Sequence, residues 1–194
     1  MPAAARCPSV RVDLLRHGET ALSGFCGRID TKLTRQGRFQ MHVATRHGGP
    51  WDAIVTSPLR RCASFAEALA VETRLSIEYE PRFAEYHFGQ WEGRTAEQIW
   101  CEEPASLDRF WRDPWQFTPP GAQAMESFAT RVAQGWDDLL GRHAGRRILL
   151  VTHAGVIRMV WHLCGRLPRR DFLRMQVGHA SLHALVVPAT KGVT

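Results

Sequence analysis

An uninterrupted apolar run, Ile148 to Val151, ends abruptly in Thr152-His153-Ala154-Gly155, after which the spacing becomes helical. A short strand that is apolar on both faces is a strand covered on both faces, as in a parallel sheet between helices. Four further strand-like segments share the chain. Val10, Val12 and Leu14 alternate and end at Arg16-His17-Gly18, while Ala53 to Val55 is closed by Thr56-Ser57-Pro58. Leu75, Ile77 and Tyr79 alternate, and Leu182 to Val187 is the last such run.

Helical patterns separate them. Thr34 is a fitting N-cap for a helix reaching about His47. Ser57 as N-cap and Pro58 at the first helical position predict a second helix, with Leu59, Cys62, Ala63, Ala66, Leu69 and Ala70 on its apolar face. From Pro81 to Gly121 the chain holds Trp91, Trp100, Trp111 and Trp115 among Pro and Gly breaks. Two short helices are expected there, one opened by the capping pattern Thr95-x-x-Gln98. Met125, Phe128, Val132, Trp136, Leu139 and Leu140 mark a long amphipathic helix, and the helix after His153 should stop near Gly165. Alternating strands and helices predict an α/β fold, a mostly parallel sheet between two helical layers, in one domain over residues 1–194.

Composition excludes several classes. No apolar run approaches the roughly 18 residues that span a bilayer, and MPAAARCPSVRV lacks the apolar core of a secretory leader. Five scattered cysteines (Cys7, Cys26, Cys62, Cys101, Cys164) with no CxxC pair argue for reduced thiols, against a disulfide framework or zinc site, and for a cytoplasmic protein. Net charge is +6, and all but two of the 25 basic residues (Lys32 and Lys191) are arginines. They are dispersed, which fits a solvated surface or capture of a small anion and supplies no nucleic-acid motif.

In a parallel sheet, ligands bind beyond the carboxyl ends of the strands. Three such ends carry polar clusters: Arg16-His17-Gly18-Glu19-Thr20, Ser57-Pro58-Leu59-Arg60-Arg61 and Thr152-His153-Ala154-Gly155. Guanidinium groups grip phosphate oxygens in pairs and stay charged. A neutral imidazole offers an unprotonated nitrogen that can take a phosphoryl group. Phosphoryl transfer is mostly positioning and charge stabilisation, so a cationic cradle can serve without metal or other cofactor. Glu85 is the candidate proton donor to the leaving group, because a docked phosphate dianion favours the protonated carboxyl beside it.

Leu15-Arg16-His17-Gly18-Glu19-Thr20 resembles the RHGET signature of the histidine phosphatase (phosphoglycerate mutase-like) superfamily. The likeness continues in order through Gly27-Arg28-Ile29-Asp30, Leu33-Thr34-x-x-Gly37, Ser57-Pro58-Leu59-Arg60-Arg61, Glu85-x-x-Phe88-Gly89-x-Trp91-Glu92-Gly93 and Val151 to Gly155. The resemblance implies a three-layer α/β/α sandwich, a metal-independent phosphomonoester hydrolase and a phosphohistidine at His17. It implies Arg16, Arg61 and His153 around the phosphate and Glu85 as proton donor, with the Ala154 N–H as a further anion contact.

Phe88 to Arg94, Phe110-Trp111-x-Asp113-Pro114 and Phe117 to Gly121 resemble the α-ribazole phosphatase branch, implying a small-molecule substrate, α-ribazole 5′-phosphate of cobalamin biosynthesis. Its flat apolar base suits stacking on an aromatic side chain of this segment. Two positions depart from the pattern. Ser23 stands at a phosphate-binding position where the family commonly has Asn, and Ala122-Gln123 where relatives often have Gly-Glu. A broad-specificity phosphatase, a cofactor-dependent phosphoglycerate mutase, and, from another class, a catalytically dead scaffold or a nucleic-acid binder remain the alternatives. No membrane or nucleic-acid partner is expected.

Overall fold

A computed structural model describes residues 9–188 of the chain; Cys7 and Lys191 lie outside them. Five strands form one sheet: β1 (Ser9–Arg16), β2 (Ala53–Thr56), β3 (Ile77–Tyr79), β4 (Arg147–Thr152) and β5 (Leu182–Pro188), in the order β3-β2-β4-β1-β5. Neighbours run parallel except β5, which is antiparallel to β1 with Leu15 opposite Leu182.

The helices are α1 (Arg35–Thr45), α2 (Arg60–Thr73), α3 (Ala96–Glu102), α4 (Pro104–Arg112), α5 (Met125–Arg142) and α6 (Ala154–Leu163). Alternate residues of the strands face two cores. Val12, Leu14, Val55, Ile148 and Leu150 meet Phe128, Val132, Ile157 and Val160 of α5 and α6. Leu15, Ile54, Leu149 and Val151 meet Met41, Phe65 and Leu69 of α1 and α2. This is the expected α/β/α layering. Four consecutive apolar residues in β4 are required because the strand lies mid-sheet with a helical layer on each face.

Thr34 caps α1, accepting from Gly37 N at 2.9 Å, and the Thr95–Gln98 capping box opens α3. The second expected cap is corrected. Helix α2 begins at Arg60, with Leu59 as a cap residue that makes no side-chain cap bond. Its first N–H is instead taken by Asp30 Oδ1 at 2.7 Å, from a distant loop. Ser57 Oγ is drawn away by a tertiary partner, lying 2.8 Å from His153 Nε2 while accepting from Leu59 N at 3.3 Å. Among the described residues, no helix is long and apolar enough to cross a membrane.

Candidate active site

Strand register assembles the site. Arg16 pairs with Thr152 and Thr56 with Val151, so β1, β2 and β4 release their next residues at one sheet edge. His17 N donates to Thr152 O at 2.9 Å, joining the first turn after β1 to the end of β4. Gly18 allows the following loop to lie on α1, since a Cβ there would meet Gly37 O at 2.0 Å.

His17 Nδ1 is 2.8 Å from Gly18 O. A carbonyl only accepts, so Nδ1 carries the proton and Nε2 keeps its lone pair. Burial first, then the positive charge of Arg61, pushes the His17 pKa well below 6.5, so the imidazole is neutral at pH 7. Arg61 is wholly buried. Its fork donates to Ile29 O and Gly27 O at 2.7 Å each, and Nε donates to His153 Nδ1 at 3.3 Å. Guanidinium nitrogens only donate, so His153 accepts at Nδ1 and carries its proton on Nε2, facing Ser57 Oγ. Arg16 donates to Val177 O at 2.6 Å, while its Nε is buried with no hydrogen-bond partner among the described residues.

Glu85 is nearly buried; Oε1 accepts from Tyr86 N at 2.9 Å and Oε2 from Gly155 N at 3.2 Å, at the start of α6. Its carbonyl is held by Arg28 Nε at 2.8 Å and Arg131 at 3.3 Å. Arg131 also donates to Gln123 Oε1, which gives the Ala122-Gln123 departure a local role.

These groups border a cavity of about 570 Å³. Arg16, His17, Arg61, Glu85, Ala154 and the exposed Ser23 line it. His153 stands behind the wall: its ring centroid is 5.3 Å from that of His17, but it is wholly buried and both nitrogens are engaged. Thr20 lines the cavity too, donating to Leu22 O rather than capping a helix.

Two further residues of the cavity, one imidazole and one guanidinium, were not anticipated. His179, 5.9 Å from His17 ring to ring, precedes β5. An antiparallel strand brings its amino end to the site edge, so a search of carboxyl ends alone passes it by. Arg158 lies one helical turn beyond Ala154, a spacing that places both on one face of α6; its Nε donates to Met175 O. Among the described residues no cluster of three or more His, Cys, Asp or Glu is placed to hold a metal ion.

The comparisons with known proteins agree with this architecture. The family model of the histidine phosphatase superfamily (branch 1) matches residues 12–193, and the chain belongs to that superfamily. It is similar to a bifunctional protein of Mycobacterium tuberculosis, 33% identical over 82% of this chain and 45% of the relative. The chain therefore spans about half the length of that relative. It is 29% identical to the adenosylcobalamin/alpha-ribazole phosphatase of Escherichia coli, covering 78% of this chain and 77% of that protein. In structure it resembles a mycobacterial glucosyl-3-phosphoglycerate phosphatase solved with VO3, with TM-score 0.81 and 29% identity over 90% of this chain and 91% of the other.

Proposed function

We propose that this chain is a phosphomonoesterase acting through a phosphohistidine at His17 Nε2. The observation that carries the reading is a neutral imidazole of fixed tautomer beside the buried Arg61 guanidinium, the half-buried Arg16 and a carboxyl, all bordering one cavity. The P–O bond to the alcohol breaks as the P–N bond to Nε2 forms, and the Glu85 carboxyl gives its proton to the departing oxygen. Water then attacks phosphorus, Glu85 takes its proton, and the P–N bond breaks to release phosphate. Arg16 and Arg61 hold the equatorial oxygens, with the Ala154 N–H and Ser23 as further contacts. His153 positions Arg61 from behind, accepting from Arg61 Nε at 3.3 Å.

The substrate favoured is α-ribazole 5′-phosphate. Above the cationic floor the cavity wall includes the partly exposed Leu22, Phe25 and Phe88, surfaces that suit a flat apolar base better than a sugar's hydroxyls. Arg158 favours a second reading, a phosphorylated sugar acid whose carboxylate would face that guanidinium, with the His179 imidazole beside it, in keeping with the glucosyl-3-phosphoglycerate phosphatase it resembles.

A panel of α-ribazole 5′-phosphate, glucosyl-3-phosphoglycerate and 3-phosphoglycerate, compared by kcat/KM, separates these. Isomer interconversion of 3-phosphoglycerate without phosphate release would mean a mutase instead. Acid-labile phosphoenzyme should form in the wild type and vanish in His17→Ala, with turnover down at least about 10³-fold. Full turnover by His17→Ala would end the proposal.

A further inference from the structure

Most rings at the cavity are already spent on one another. Phe88 is 4.8 to 6.2 Å from Phe25, Tyr86 and Phe110, centroid to centroid, and Tyr86 is 5.4 Å from Phe128. Their edges and faces close an aromatic core. Trp111 of α4 differs. It borders the same cavity, is 48% exposed, and stacks at 6.3 Å and 18° on Trp100 of α3, itself half-exposed. One face of the indole is covered by Trp100; no other ring contact involves Trp111 among the described residues. A large apolar ring left half in water beside a cationic phosphate floor is a surface built to be covered.

We propose that Trp111 is the stacking platform for the flat ring of the leaving alcohol and so determines which phosphomonoester the site prefers. This rests on the phosphomonoesterase reading above. Trp100 is a positioning residue that backs the indole and holds it flat. The occupant is the substrate rather than a second copy of the chain because the ring is continuous with the cavity that holds His17 and Glu85.

The test compares α-ribazole 5′-phosphate with glycerol 1-phosphate, which has no ring, in the wild type, Trp111→Ala, Trp111→Phe and Trp100→Ala. In Trp111→Ala the ratio of the two kcat/KM values should fall about tenfold, as expected for one lost base–aromatic stack, chiefly through KM for the ring substrate. Trp111→Phe should restore most of the ratio, and Trp100→Ala should lower it less. Binding of phosphate-free α-ribazole, measured by calorimetry, should weaken about tenfold in Trp111→Ala without any turnover being needed.

Equal loss for both substrates would assign Trp111 to folding and overturn the proposal. So would a wild-type dimer that Trp111→Ala splits while the ratio holds. Phosphate release with an unchanged ratio and unchanged nucleoside binding sinks the platform and leaves the phosphatase. Nucleoside binding that depends on Trp111, with no phosphate release by the wild type from any ester, sinks the phosphatase and leaves the platform.

Discussion

At the strand ends, charged side chains are held by backbone atoms from far along the chain: Arg61 by Gly27 O and Ile29 O, Arg16 by Val177 O, Glu85 by Gly155 N. In the wall, Tyr86, Phe88, Phe110 and Phe128 are held by contact with one another, and the Tyr86 hydroxyl is buried with no hydrogen-bond partner among the described residues. The floor depends on direction and the wall on volume. A hydrogen-bonded charge tolerates almost no displacement, and breaking its pairing strands the partner in a dry interior. A ring in an aromatic cluster can be exchanged for another of similar size at modest cost. On the proposed mechanism the floor would therefore set the chemistry, while the wall would be free to set the alcohol.

Replacing Arg61 strikes the floor hardest. Arg61→Ala leaves Gly27 O, Ile29 O and His153 Nδ1 without their donor. Turnover should fall about 10²- to 10³-fold, the usual loss for one charge-stabilising donor. Unfolding free energy should drop by several kcal/mol, on the order of 1–3 kcal/mol for each stranded buried group. Arg61→Lys should recover little of either, because an ammonium cannot reproduce the planar fork. Urea unfolding and steady-state kinetics on the same preparations check both. If stability is unchanged, the claim that floor residues serve both fold and chemistry fails.

Gly155→Ala works at the joint between the two regions. A Cβ there would lie 2.3 Å from Glu85 Oε1, so the carboxyl must move, and it can do so because it is the far end of a side chain. A shift of about 1 Å at a reacting group can lower the rate about 10²-fold. Turnover should fall about ten- to a hundredfold while Tm stays close to wild type, since alanine in a helix is favourable in itself. Loss of Tm alongside activity would show that the joint is structural rather than catalytic.

Much of the floor was legible because its residues follow strands directly. Arg16 and Thr152 are the last residues of β1 and β4, His17 and His153 the next, and a parallel register places them together. His179 was not, because it depends on β5 running antiparallel. The caps show the same division. Thr34 satisfies α1 locally, as the sequence predicts, whereas α2 takes its first acceptor from Asp30 and releases Ser57 to His153. Arg28 and Arg131 hold Glu85 through its backbone carbonyl, a contact with no side-chain signature on the receiving residue. Trp111 could be counted among the aromatics, but only packing separates a ring with an open face from its enclosed neighbours.

The smallest effect concerns pH, and it separates the floor from the wall by its sign. Burial, reinforced by Arg61, holds both His17 and His153 well below an ordinary histidine pKa of 6.5. Above pH 6.5 both histidines are neutral folded or unfolded, and they add no pH dependence. Below it the unfolded chain binds protons that the folded floor refuses, so stability falls as pH falls, until the lowered folded pKa values are reached. Each group contributes at most about 1.4 kcal/mol per pH unit. His143, His179 and His183 are displaced in the same direction by burial, which adds to the slope. Urea unfolding at pH 7.5 and 5.5 should show the decline, and His17→Asn should flatten it. Phe88→Leu, in the wall, should lower stability by the same amount at both pH values. If the two variants change the slope equally, the floor and the wall do not differ in the way their hydrogen bonds and ring contacts imply.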